Sequence, residues 1–282
     1  MPASPTIYRT VDDLRAAVAA WRRDGLRVGM VPTMGALHSG HLELVRAARE
    51  RADRVIVTIF VNPTQFAPNE DFGSYPRTEA GDVAKLTEIG VEAVFAPNAN
   101  EMYPAGYATT VSLAGPAVGL ETDFRPHFFS GVATVVSKLL IAGFPDVALF
   151  GEKDYQQLMV LRQMARDLRL PTEIVGLPTI REPDGLALSS RNAYLSAEER
   201  QLATTISRVM RKAAGEIQAG AAIEPALSEG RVALEAAGFR VDYLVVRNAD
   251  TLAELDGSAA EPRRMLVAAW LGKTRLIDNI AV

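Results

Sequence analysis

The 282-residue sequence predicts an α/β protein, a doubly wound parallel sheet followed by a smaller α+β domain. Two observations carry that expectation. As far as Leu177, short β-branched runs apolar on both faces alternate with amphipathic helical stretches, as in parallel sheets covered on both sides. After Leu177-Pro178 the order changes to helices followed by strands, which marks a second domain.

The first helix is announced by Thr10, an N-cap with Asp13 three residues on, and by Val11, Leu14, Ala17, Val18 and Trp21 at helical spacing. Gly25 ends it. Residues 26–31 form a short apolar strand closed by Pro32. The next helix begins near His41, with Leu42, Val45 and Ala48 on one face. Residues 54–60 are a β-branched run apolar on both faces. Helix over 78–89, strand over 91–95, helix over 131–142, strand over 146–150, helix over 153–168 and strand over 172–175 continue the alternation. Strands joined this way pair in parallel, giving a Rossmann-like sheet with helices on both faces.

The second domain reads as a long helix over 196–219, opened by the capping box Ser-Ala-Glu-Glu, and a helix over 223–236. Strands over 240–246, 264–271 and 274–280 follow. The expected division is 1–179 and 180–282, the second domain closing over the active site. No internal repeat and no low-complexity tract is present.

Composition limits the function. Hydrophobic residues make up 48% and charged residues 23%, ordinary globular usage. The net charge is −4, and no stretch gathers the Lys and Arg that a polyphosphate backbone needs, so no nucleic-acid partner is expected. One local cluster of cations suffices for a small anion. The absence of cysteine removes disulfides, thiolate zinc sites and a Cys nucleophile, and fits a reducing compartment. The first ten residues lack an apolar h-region, and no apolar run approaches the ~18–20 residues of a membrane span. A cytoplasmic protein with no membrane partner is expected.

Four blocks carry chemistry. Pro32-Thr-Met-Gly-Ala-Leu-His-Ser-Gly-His41 follows the first strand and opens a helix, where doubly wound sheets bind ligands. Gly35 and Gly40 permit close backbone approach, and helix-terminal N–H groups favour an anion. An ordinary turn with packed histidines would account for the glycines taken alone. Two of the chain's three histidines fall here, three apart, and that favours phosphate binding. Zinc is a third reading, since His-x-x-His supplies two ligands, but no cysteine and no clear third ligand accompanies it.

Phe60-Val-Asn-Pro-Thr-Gln-Phe66 puts Asn62 and Gln65 just past a buried strand, where amides can meet a carboxylate or hydroxyl without bringing charge. Phe150-Gly-Glu-Lys-Asp-Tyr-Gln-Gln-Leu158 again runs from strand into helix. Its Lys153 suits phosphate oxygens, Asp154 suits Mg²⁺ or ribose, and Gln157 lies one turn further on. The last block, Arg181-Glu-Pro-Asp-Gly-Leu-Ala-Leu-Ser-Ser-Arg-Asn-Ala-Tyr-Leu195, offers Ser189, Ser190 and Arg191 on a loop able to close over a triphosphate. Loop polarity, a solvated helix cap and a polar linker would explain these three blocks one at a time.

Together, in this order across 32–195, they resemble the pantoate–β-alanine ligase family. His38-Ser-Gly-His41 by itself resembles the His-x-Gly-His signature of class I aminoacyl-tRNA synthetases and small nucleotidyltransferases; the full ten residues and the later blocks narrow it. The carboxyl-terminal third matches mainly in length and element order. The resemblance implies ATP contacts from Met34, Gly35, Ala36, Leu37, His38, Ser39, Gly40 and His41. It adds Gly151, Glu152, Lys153, Asp154, Ile180, Leu188, Ser189, Ser190 and Arg191. Substrate contacts are implied for Gln65, Gln157, Asn62 and Arg125, and catalytic roles for His41, His38, Lys153 and Arg191. Mg²⁺ with Asp154 and a homodimer are further implications. One block departs from the family's Arg-Pro-x-His-Phe-x-Gly-Val: here Arg125-Pro-His-Phe-Phe-Ser-Gly-Val132 puts Phe128 at the histidine position and His127 beside it.

The reaction so implied is ATP + (R)-pantoate + β-alanine → pantothenate + AMP + diphosphate, through pantoyl adenylate. Two rival classes stay open on sequence grounds. One is an adenylyl- or cytidylyltransferase that releases only diphosphate, and the other a nucleotide-sensing module with a relict site.

Overall fold

The computed structural model describes residues 3–66, 72–258 and 260–282. The chain divides into two compact units, Met1–Gly151 with Val160–Leu177, and Glu152–Met159 with Pro178–Val282.

The first unit opens with β1 (Thr6–Tyr8), α1 (Val11–Arg23), β2 (Val28–Thr33) and α2 (Ser39–Arg49). Then come β3 (Arg54–Ile59), α3 (Glu79–Ile89), β4 (Ala93–Phe95), α4 (Ala99–Met102), α5 (Glu121–Phe124), α6 (Phe128–Gly143) and β5 (Val147–Gly151). Helix α7 (Tyr155–Asp167) begins in the second unit's segment and ends in the first, before β6 (Glu173–Leu177). All six strands are parallel, in the order β1-β4-β3-β2-β5-β6. The chain works outward from β2 to β3 and β4, then returns to add β5 and β6. The carboxyl ends of β2 and β5 are therefore the topological switch point, where ligands bind in open α/β sheets.

Strands apolar on both faces need cover on both. Val31, Val55 and Val57 pack with Val45 and Ala48 of α2 and Leu86 of α3 in one buried cluster. The alternate residues Met30 and Ile56 lie against Gly143 of α6, close to Leu14 of α1. A Cβ on Gly143 would come within 2.2 Å of the Met30 methyl, the flexible end of that side chain, so α6 packs closely on the sheet there.

The second unit adds α8 (Ala197–Leu202), α9 (Thr204–Gln218), α10 (Ile223–Ala236), β7 (Phe239–Asn248), β8 (Arg263–Leu271) and β9 (Thr274–Ala281). Its three strands form an antiparallel sheet in sequence order. Ile206 and Met210 of α9 and Leu227 and Leu234 of α10 pack with Leu244, Met265, Val267 and Ala269 in its core.

The structure differs from the sequence reading in several places. Strand β1 was not expected; three residues on the sheet edge are too few and too exposed to show a pattern. Strand β2 runs through Pro32 to Thr33, which is tolerated because pairing with β5 ends at Met30. Helix α6 starts at Phe128 rather than Gly131. The helix expected over 196–219 is α8 and α9, divided at Ala203. There the Thr204 hydroxyl donates to the Gln201 carbonyl and competes with the helical ladder. The Ser196/Glu199 capping box is formed as expected.

Candidate active site

The first block leaves β2 at its carboxyl end. Thr33 Oγ1 donates to the Thr58 carbonyl (2.6 Å) and accepts from the Gly35 N–H (3.1 Å), which turns the chain out of the sheet. Gly35 (φ 80°) and Ala36 (φ 51°) both lie in the left-handed region. Strain at Ala36 needs an external hold, and Asp82 of α3 provides it. Its carboxylate accepts from Ala36 N–H and Leu37 N–H, both at 2.8 Å, and from Thr78 Oγ1 at 3.1 Å. Asp82 is fully buried, and Lys85 Nζ, 3.9 Å from it, donates to the Leu37 carbonyl at 2.6 Å. Sequence reading missed Asp82, although its phase offered a signal: it shares a helix face with the buried Leu86 four residues on.

His38 is the N-cap of α2. Its Nδ1 accepts from Gly40 N–H (3.1 Å), and His41 Nδ1 accepts from His38 N–H (3.4 Å). The two rings lie 4.1 Å apart. Acceptance at Nδ1 places the proton on Nε2, so each imidazole carries its N–H on the far side from the helix cap. The helix start at Ser39 rather than His41 follows from this histidine capping box.

The second block divides its two amides between different tasks. Asn62 is 1% exposed, and its Oδ1 accepts from Tyr103 OH (2.7 Å), Thr64 Oγ1 (3.0 Å) and Thr64 N–H (3.3 Å). Its Nδ2 donates to the Gly131 carbonyl (3.2 Å). Burial pushes the Tyr103 hydroxyl above the usual phenol range, so it stays a donor to Asn62. Asn62 thereby shapes the 3₁₀ turn Pro63–Gln65, whereas no partner among the described residues takes the Gln65 side-chain amide. The turn is also pressed by α6. A Cβ on Gly131 would lie 2.4 Å from the Thr64 carbonyl oxygen. Gly131→Ala is expected to destabilise the protein by about 1–3 kcal/mol through this overpacking, measured by urea unfolding against the parent.

Arg125 donates from Nη2 to the Gln65 carbonyl (3.3 Å), and its guanidinium lies 3.7 Å over the Phe128 ring. Phe128 is buried, while His127 is an exposed N-cap of α6. The position where the family carries histidine is thus a platform under Arg125.

In the second unit, Glu152–Asp154 form a 3₁₀ turn leading into α7. Lys153 Nζ and Asp154 Oδ2 are 3.9 Å apart, with Asp154 about half exposed. Gln156 is buried (3%), while no described residue takes the side-chain amide of the half-buried Gln157. Further on, the Ile180 carbonyl accepts from Leu188 N–H (2.9 Å), and Arg181 bridges to Ala187. Ser189 Oγ accepts from Arg191 N–H (3.3 Å), and Asn192 Nδ2 donates to the Ala187 carbonyl (3.0 Å). The loop over 188–191 is therefore an ordered 3₁₀ turn (Ser190–Tyr194) with its cap. Residues that the sequence reading left out, Arg264, Asp278 and Asn279, buttress both segments. For Asp278 and Asn279 the signal was a polar pair between the apolar Leu276-Ile277 and Ile280-Ala281 of the last strand; Arg264 on β8 offered none.

A doubly wound sheet with a histidine-capped helix at its switch point defines a nucleotide-binding protein of the His-x-Gly-His kind. The comparisons place it more closely. The family model described as pantoate-beta-alanine ligase matches residues 6–281. The chain is 58% identical to a pantothenate synthetase of Caulobacter vibrioides, over 99% of each chain. It is 56% identical to pantothenate synthetase 2 of Bradyrhizobium diazoefficiens over the full length of both. A Thermus thermophilus pantothenate synthetase crystal structure superposes with a TM-score of 0.91 at 47% identity, covering 97% of this chain and 98% of that one. A Francisella tularensis pantoate-beta-alanine ligase, crystallised with beta-gamma ATP and beta-alanine, gives 0.82 at 33% identity, covering 98% and 97%. The chain belongs to the pantoate–β-alanine ligase family.

Proposed function

We propose how this chain performs the ATP-dependent condensation of pantoate with β-alanine that its family membership gives it. The observation that carries the reading is the histidine pair whose Nδ1 atoms are spent on the α2 cap. With Nε2 protonated, His38 and His41 donate to phosphate oxygens, beside the backbone N–H groups of Met34 and Ser39, the others over 34–41 being spent on Thr33, Asp82 and the histidine cap. Gln65 and Gln157, the amides with no partner among the described residues, bind pantoate. Asn62 and Arg125 support the Gln65 turn from behind. Lys153, Ser189, Ser190 and Arg191 take phosphate charge, together with the backbone N–H groups of Gly151 and Glu152, while Leu188 lines the site with its N–H spent on the Ile180 carbonyl. The Ile180 backbone meets the adenine through its N–H, its carbonyl being engaged by Leu188.

In the first step a pantoate carboxylate oxygen attacks the α-phosphorus of ATP, the bond to the β-phosphate breaks, and diphosphate leaves. A carboxylate is already an anion, so this step asks for alignment and charge stabilisation rather than a base. In the second step the neutral amine of β-alanine attacks the acyl carbon. The bond to AMP breaks, and the amine gives up a proton to solvent, since His41 has Nδ1 engaged and Nε2 already protonated. Asp154 offers one half-exposed carboxylate, a donor set that suits Mg²⁺ held chiefly by phosphate oxygens. Such an ion supplies neutralisation of the triphosphate charge.

No helix among the described residues is long and apolar enough to cross a membrane. A cytoplasmic location fits that observation and the absence of cysteine. A homodimer is proposed from the family alone. The decisive assay incubates the protein with Mg-ATP and pantoate, with and without β-alanine. AMP and pantothenate should form together only when all three substrates are present. Diphosphate release without AMP would instead identify a nucleotidyltransferase that keeps the nucleotide on its product.

A further inference from the structure

Asn279 of β9 is 3% exposed, and its amide is fully committed. Nδ2 donates to two successive carbonyls, Glu152 (2.8 Å) and Lys153 (2.9 Å), while Oδ1 accepts from Arg264 Nε (2.8 Å). Arg264 then reaches the same turn by two other routes. Its Nη2 donates to the Glu152 carboxylate (3.0 Å), and its guanidinium lies 4.1 Å over the Tyr155 ring. Tyr155 is fixed at its far end by a bond from its hydroxyl to the Ala249 carbonyl (3.0 Å). The preceding residue on β9, Asp278, points to the other face and holds Arg181 with a two-pronged ion pair of 2.7 and 2.8 Å.

Backbone carbonyls at a helix start serve mainly as helical acceptors, so a buried amide spending both hydrogens on two of them is an orienting device. The Glu152–Asp154 turn carries Lys153, whose ammonium stands on a four-carbon stem. A small tilt of the turn is magnified at the end of that stem. We infer that Asn279 is a positioning residue for the adenylate-forming step, holding the Glu152–Asp154 turn so that Lys153 meets the phosphates in register. This rests on the assignment of Lys153 to ATP, and the test separates the two.

The test uses the full-length protein and pantoate-dependent exchange of diphosphate into ATP. Asn279→Ala should lower kcat/KM for ATP by about 10²-fold, the order of loss expected from a misplacement near 1 Å, with KM for pantoate almost unchanged. Asn279→Asp keeps the volume and the Arg264 bond but turns oxygen against the two carbonyls. It should lose activity in the same direction and melt below the parent, because a buried acceptor then faces two acceptors. In a Lys153→Ala background, Asn279→Ala should add no more than about a twofold further loss, because the two act as one unit. An equal loss in both backgrounds, or a lowered melting temperature with unchanged ATP kinetics, would overturn the inference. Lys153→Ala with parental ATP kinetics would instead remove the assignment beneath it, and the inference would fall with it.

Discussion

Replacing His41 with Gln is expected to slow adenylate formation by about 10²–10³-fold, the range for loss of one charge-stabilising donor. The substitution isolates that donor. His41 occupies the N3 position of the α2 cap, where its Nδ1 accepts from His38 N–H. Gln is a natural capping-box residue at N3, so its carbonyl oxygen can take over that acceptance and keep the helix start intact. What Gln lacks is a ring N–H at the place where Nε2 stands. The variant should therefore melt within a few degrees of the parent while pantoate-dependent diphosphate exchange collapses. AMP production near the parental rate in that variant would remove His41 from the chemistry. A large fall in melting temperature would show that the ring serves chiefly to build the turn.

The sheet was legible because its physics is local. Strands such as 54–60, apolar on both faces, can only be central and covered, and helix periodicity between them dictates parallel pairing. The first three blocks were legible for the same reason, each following a strand end, where chain order alone marks the ligand edge; the fourth was legible only by its residue types. Illegible were the groups that hold those blocks from a distance. Asp82 lies 46 positions from Ala36, and Asn279 lies 127 from Glu152. No spacing rule connects residues so far apart. The roles of the two block amides were also beyond reach. From sequence, Asn62 and Gln65 look alike, yet burial consumes Asn62 in four hydrogen bonds and leaves the half-buried Gln65 amide with no partner among the described residues. Phe128 was visible only as a departure. The structure makes it the surface on which Arg125 rests while bonding the Gln65 backbone.

A second buried group that holds the backbone from a distance yields the second large effect. Asp82→Asn is expected to cut kcat/KM for ATP by about 10²-fold and to lower stability by about 1–3 kcal/mol. The carboxylate satisfies two adjacent N–H groups, Ala36 and Leu37, with one oxygen each. An amide of the same shape can accept from only one of them and must turn its own N–H₂ toward the other. A buried donor then faces a donor, and Ala36, already at φ 51°, loses the bond that offsets its strain. The turn relaxes, and with it the N–H groups and histidines that follow. Because Gln65 and Gln157, the amides proposed for pantoate, lie on other elements, the Pro63–Gln65 turn and α7, KM for pantoate should hold while ATP saturation shifts. Asp82→Ala removes both acceptors and should be worse on both counts. Steady-state kinetics in each substrate, read beside thermal melts, decides the matter. A destabilised Asp82→Asn enzyme with parental kcat/KM for ATP would reduce this carboxylate to a structural bond and detach it from the nucleotide site.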